Sequence, residues 1–151
     1  MKFIACLAVT AAATALGVGV THASGPVAAF ALVDKVTFEP NAEKPERIQI
    51  TGVFCLVDPG SYAYRDPQRG YLYVMLPERN QDLAHREWGD LKAVAGTRQV
   101  VAFGLGWMSK MRLRKPGERA ESPDEYSMGN GVAKVNPSHP QAKALLNYKD
   151  Q

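Results

Sequence analysis

The chain has 151 residues, of which 46% are hydrophobic, and 18 Lys and Arg face 15 Asp and Glu for a formal charge of +3. So near a balance excludes the strongly basic footprint of a nucleic-acid binder, and no nucleic-acid partner is expected. The length suits one domain around a single core.

MKFIACLAVTAAATALGVGVTHASG opens the chain with Lys2, an apolar run from Phe3 to Val20 and small residues around Ala23. This is the three-part layout of a secretory signal peptide, with Ala23 the expected last residue before cleavage. The run is close to the length of a membrane span, but its Ala, Gly and Thr content and its position favour removal over a retained anchor. Cys6 precedes most of the apolar run, which argues against a lipid-modified cysteine. Loss of residues 1–23 leaves one domain, 24–151, of about 128 residues with a net charge near +2. No second run is long enough to cross a membrane. The expected location is the periplasm or the extracellular space.

Along the rest of the chain, DKVTFEP reads as an initial strand. ERIQITGVFCLVD reads as a strand apolar on both faces: Ile48, Ile50, Phe54 and Leu56 lie on one, Val53, Cys55 and Val57 on the other. A turn-rich loop, DPGSYAYRDPQRG, leads into GYLYVMLP, whose Leu72, Val74 and Leu76 alternate with Tyr71, Tyr73 and Met75 before Pro77 stops the ladder. NQDLAHREWGDLKAVAG predicts a helix capped by Asn80, carrying an Ala84, Trp88, Leu91, Ala95 stripe and ending at Gly96. RQVVAFGLGWM predicts another doubly apolar strand. SKMRLRKPGE predicts a further strand in which Lys110, Arg112 and Arg114 share one face opposite Met111 and Leu113. GVAKV reads as a last short strand, and HPQAKALLNYKD as a short helix packing Ala142, Leu145 and Leu146. The core is expected over about 34–135 and the helical tail over about 140–149.

Strands apolar on both faces, with glycines at Gly52, Gly104 and Gly106, predict an α+β fold, mainly β with one central helix. The expected form is a small antiparallel β-barrel or curved sheet, with an element order resembling the OB-fold. The other arrangement is an open antiparallel sheet with the Trp88 helix on one face. The segments RIQITGVF, RGYLYVMLP, EWGDLKAVAGTRQVVAFG and YSMGNGVAKV resemble a group of small secreted bacterial proteins with no known activity. The resemblance spans about Asp34 to Val135 and implies a bacterial exported protein, with no catalytic residue or cofactor to carry over.

If Cys6 leaves with the signal peptide, Cys55 has no partner within its chain, and its doubly apolar strand makes it a packed thiol first. An enzyme reading would be a small thiol-dependent hydrolase in which Cys55 acts with His85 or His139, oriented by Asp82 or Asp90; burial of the thiol opposes it. His85 and His139 stand apart in sequence, without HxxxH, CxxC or an EF-hand loop, so no metal or other cofactor is expected. Glu87 and Asp90 read as solvated helix charges.

Two features suit binding. Lys110, Arg112 and Arg114, followed by Lys115 and Arg119, could dock a phosphate, sulfate or carboxylate polymer, or could be charges that protect a sheet edge. Tyr62, Tyr64, Tyr71 and Tyr73 offer rigid faces with polar tips, or pack beneath the helix or tail. The expected function is a non-enzymatic exported domain whose partner is a protein or an anionic polymer of the cell envelope.

Overall fold

A computed structural model describes residues 27–38, 47–58, 61–75, 81–104, 112–119, 124–125 and 132–150. Residues 1–23, Leu76, Pro77, Asn80, Gly106, Lys110 and Met111, all named above, lie outside these, as do the side chains of Met75 in its strand and of Asp82, Ala84, His85, Glu87 and Trp88 within the helix.

The first strand, β1 (Val27–Phe38), is longer than DKVTFEP alone predicts. Its alternation sends Ala29, Ala31 and Val33 into one buried cluster and Phe30 and Leu32 into another. The register slips between Val33 and Lys35. This bulge at Asp34 shifts the alternation by one residue, so that Val36 returns to the cluster of Val33. β2 (Arg47–Leu56) pairs antiparallel with β1 and divides as its pattern predicts, with Ile48, Ile50, Phe54 and Leu56 on one face and Val53 and Cys55 on the other.

β3 (Gln68–Met75) pairs antiparallel with β2, and β4 (Val100–Gly104) pairs antiparallel with the opposite side of β1. β5 (Asp124–Glu125) lies parallel to the end of β3, and β6 (Val132–Lys134) lies antiparallel to β4. The resulting order is β5-β3-β2-β1-β4-β6, five antiparallel strands with one two-residue parallel edge.

The sheet is open, which corrects the β-barrel expectation and with it the closed OB-like plan. The curved-sheet α+β expectation holds without closure, and the apolar residues on the two faces are covered by helices. Helix α1 (Gln81–Val94) buries Leu91 and Val94 against Ile48, Ile50, Leu72, Val74 and Val101. Helix α2 (Pro140–Leu146) buries Ala142 and Leu145 against Phe30, Val53, Cys55, Val100 and Ala102 on the other face. The described edge strands, of two and three residues, offer little ladder to close with. Gly96 ends α1 in the left-handed region (φ 74°), and its N–H donates to the Val33 carbonyl at 2.9 Å, tying the helix end to the β1 bulge.

The predicted basic strand is not formed over the described residues 112–119. Its strand-like contact there is one antiparallel bridge to β3, in which the N–H groups of Tyr71 and Arg114 donate to each other's carbonyls at 2.9 and 3.0 Å. Arg112 is exposed, but Arg114 is buried, so the two do not present one charged face to solvent. Leu113 packs against the α1-side cluster.

Candidate ligand-binding site

The loop between β2 and β3 is organised by Asp58. Its backbone carbonyl accepts from the Tyr62 N–H (2.8 Å), its N–H donates to the Ala63 carbonyl (2.7 Å), and its Oδ1 accepts from the Ser61 N–H (3.2 Å). Asp58 Oδ2 takes both Nε (3.2 Å) and Nη2 (2.8 Å) of Arg65, whose own N–H donates to the Leu56 carbonyl (2.8 Å). These bonds fix where Arg65 stands.

On the other side, the turn 115–118 positions Arg112. The Glu118 N–H donates to the Lys115 carbonyl at 3.1 Å, and Glu118 Oε2 accepts from the Lys115 N–H at 3.2 Å. Glu118 Oε1 forms an ion pair with Arg112 Nη2, and the Glu118 carbonyl accepts from the Tyr71 hydroxyl. Each guanidinium is thus paired with one carboxylate, Arg65 with Asp58 and Arg112 with Glu118.

Between them lies a cavity of about 120 Å³, with Phe54, Leu56 and Leu113 contributing apolar walls and Arg65, Asp66, Gln68 and Arg112 contributing polar ones. The side chains of Arg65 and Arg112 are 54% and 62% exposed, so both cations remain accessible to a solute. Around Arg112, the segment RLRKPGER carries four basic residues against one acid, with Lys115 and Arg119 exposed.

The sequence candidates separate in space. Arg112 lines the cavity; Arg114 lies on the β3 edge with its guanidinium 6.0 Å from the Tyr73 ring centroid. Tyr71 is buried and serves the 112–119 segment through its hydroxyl. Tyr62 stands exposed in the Asp58 loop. Tyr64 packs edge-to-face on Phe30 (4.9 Å between centroids), belongs to the α2-side cluster, and burial raises its phenol pKa. Lys110 lies outside the described residues. The strand alternation gave no sign of Arg65, Gln68 or the tethers Asp58 and Glu118. The oppositely charged pair at 58 and 65, flanking a turn-rich loop, was the available signal for half of the site.

Cys55 lies elsewhere. It is 2% exposed and paired in register with Phe30, on which the His139 ring stacks at 4.8 Å. Burial pushes its thiol up to about 11, with the charge of Asp66 adding to the shift. His85 is carried by α1, which packs on the opposite face of the sheet.

A second cavity, of about 150 Å³, opens beside the end of α2 and is lined in part by Arg69, Arg98 and Tyr148. Arg69 binds Asp34 Oδ2 and Asp150 Oδ1, each at 2.5 Å, and its guanidinium lies 6.0 Å from the Tyr148 ring centroid. Arg98 Nη2 donates to the Leu146 carbonyl at 3.2 Å. These arginines serve contacts within the chain. Among the described residues, no helix is long and apolar enough to cross a membrane.

No protein-family model matches the chain, and neither a curated protein nor a solved structure does.

Proposed function

We propose that the protein is an exported, non-enzymatic binding domain that takes an anionic component of the cell envelope at the cavity between Arg65 and Arg112. The observation that carries this reading is the pair of exposed guanidinium groups, each positioned by its own carboxylate, around apolar walls. Two planar forks fit a carboxylate or phosphate, while Phe54, Leu56 and Leu113 accommodate its uncharged part. The signal-peptide pattern supports the location. Against a thiol hydrolase using Cys55 and His85 stand the burial of the thiol and its raised pKa, which keep it in the un-nucleophilic form.

The test is binding of polygalacturonate and of polyphosphate to the wild type and to Arg65→Gln/Arg112→Gln. The expected result is salt-sensitive binding by the wild type and a loss of more than about tenfold in the variant, equal to about 1.4 kcal/mol. Raising the salt from 0.15 M to 1 M should mimic the variant, as the screening length falls from about 8 to about 3 Å. Folding stability should change by about 1 kcal/mol or less per exposed pair. Absence of salt-sensitive binding to both polymers overturns the proposal.

A further inference from the structure

We propose that the cavity beside the end of α2 is a second binding site, for a small carboxylic acid with an apolar body, and that Asp150 closes it by holding on Arg69 the place of the ligand's carboxylate. This goes beyond the anion site between Arg65 and Arg112 and does not rest on it. The cavity, of about 150 Å³, has Leu32, Val53 and Leu145 among its apolar walls and Asp34, Arg69 and Arg98 as its charged ones. That is well below the roughly 300–1,000 Å³ taken by drug-sized ligands, so a single small molecule fits and a polymer does not.

Two local irregularities bring polar groups to this cavity. The bulge in β1 falls at Asp34, whose Oδ2 accepts from Arg69 Nη1 at 2.5 Å. Arg98 has φ 61°, in the left-handed region where Gly or Asn would sit with less strain, and its Nη2 donates to the Leu146 carbonyl at 3.2 Å. Asp34 thus orients one edge of the Arg69 guanidinium, whereas Asp150 Oδ1 accepts from its Nε at 2.5 Å.

The two carboxylates differ in what holds them. Asp34 is carried by β1 between the Val33–Gly52 and Lys35–Thr51 pairs, so it stays with the sheet. Asp150 lies past Asn147, where α2 ends (φ −95°, ψ 0°), and its side chain is 61% exposed. Ala142 and Leu145 anchor α2, and Tyr148 packs on the same cluster, so the exposed Lys149 and Asp150 can swing out while both remain. With Asp150 in place, two guanidinium groups meet two carboxylates; with it gone they meet Asp34 alone, and an incoming carboxylate neutralises the excess positive charge. An ion pair this exposed contributes little, which keeps the exchange of Asp150 for a ligand within reach. The apolar walls select an acid with a hydrocarbon body over a bare anion such as phosphate.

Benzoate, benzamide and phosphate are the probes, titrated by NMR into the wild type, Asp150→Asn, Arg69→Gln and Arg65→Gln/Arg112→Gln. Benzoate should be preferred over both other probes, and Asp150→Asn should bind it about two- to fivefold more tightly than the wild type. Arg69→Gln should weaken it by about tenfold or more, and Arg65→Gln/Arg112→Gln should match the wild type. Benzoate should also lower the heteronuclear NOE of the Asp150 amide in the wild type, as the segment is released. If Asp150→Asn gains no affinity, or if Asp150 stays ordered in the benzoate-saturated wild type, Asp150 is an anchor rather than a competitor and the proposal fails. It fails equally if Arg69→Gln holds benzoate as well as the wild type does, if benzamide or phosphate is held as tightly, or if neither the wild type nor Asp150→Asn binds benzoate. Loss of benzoate binding in Arg65→Gln/Arg112→Gln would assign the acid to the other cavity and overturn this site.

Discussion

Cys55 shows how position in a sheet decides the chemistry of a side chain. It faces the α2 layer from a strand covered on both sides, and loss of hydration favours its neutral thiol. In the folded protein, alkylation at neutral pH should be slow and should become fast only on unfolding, which mass spectrometry of iodoacetamide-treated protein would show. Fast labelling of the native state would contradict the burial. The raised pKa also sets a pH dependence. The folded thiol binds its proton more tightly than the unfolded one, so this contribution to stability is complete below pH 9 and is lost as pH rises towards about 11. Cys55→Ala should shrink that alkaline loss in urea titrations. Cys55→Ser should destabilise by about 1–3 kcal/mol if its hydroxyl finds no partner.

Within the elements, the glycine pair of β2 and β3 has the sharpest consequence. Gly52 and Gly70 face each other in register. A Cβ at Gly52 would stand 2.3 Å from the Leu32 carbonyl oxygen, and one at Gly70 would stand 2.3 Å from that of Arg114. Main-chain atoms cannot rotate away as a side chain can, so Gly52→Ala and Gly70→Ala should each lower unfolding free energy by about 1–3 kcal/mol or more. Gly89, in the interior of α1, has open space where its Cβ would go, and Gly89→Ala should raise stability by about 0.5–1 kcal/mol. Chemical denaturation of the three variants should order them accordingly. Leu91→Ala and Leu145→Ala, one in each helical layer, should cost about 2–5 kcal/mol each. Much of this was legible in the sequence, since period-two alternation assigned Phe54 and Cys55 to opposite faces and the α2 pattern singled out Ala142 and Leu145. What covers each face was not legible, because apolar residues on both sides of a strand are satisfied equally by a closed sheet or by a pair of helices. The Arg114 side chain escaped the same logic because alternation governs residues in a ladder, and the described part of its segment, 112–119, makes a single bridge. Arg65 and Arg112 meet only through tertiary approach, which no local pattern encodes.

At the scale of the molecule, Arg69 joins three distant parts of the chain: its own strand, the bulge at Asp34 and the C-terminal segment at Asp150. Arg69→Met should release that segment, seen as faster amide exchange over 147–150, while global stability falls only modestly because exposed pairs contribute about 0–1 kcal/mol each. Unchanged exchange there would mean that Leu145 and the packing of α2 hold the segment unaided.

The strand order also dictates a sequence of events in time. β1, β2 and β3 are consecutive neighbours that can pair as they emerge, but Phe30 must find Ala102 across roughly seventy residues before β4 completes the sheet. Closing that loop is an entropic barrier that the meander does not face. The β1–β2–β3 unit should therefore form first during refolding, and β4 should dock later, once α1 has folded back over the sheet. Pulse-labelling hydrogen exchange would show Ile50 and Leu72 protected ahead of Val101. Until β4 arrives, the outer edge of β1 is an unpaired ladder, which makes the interval before docking the moment when the chain is most prone to pair with another copy of itself.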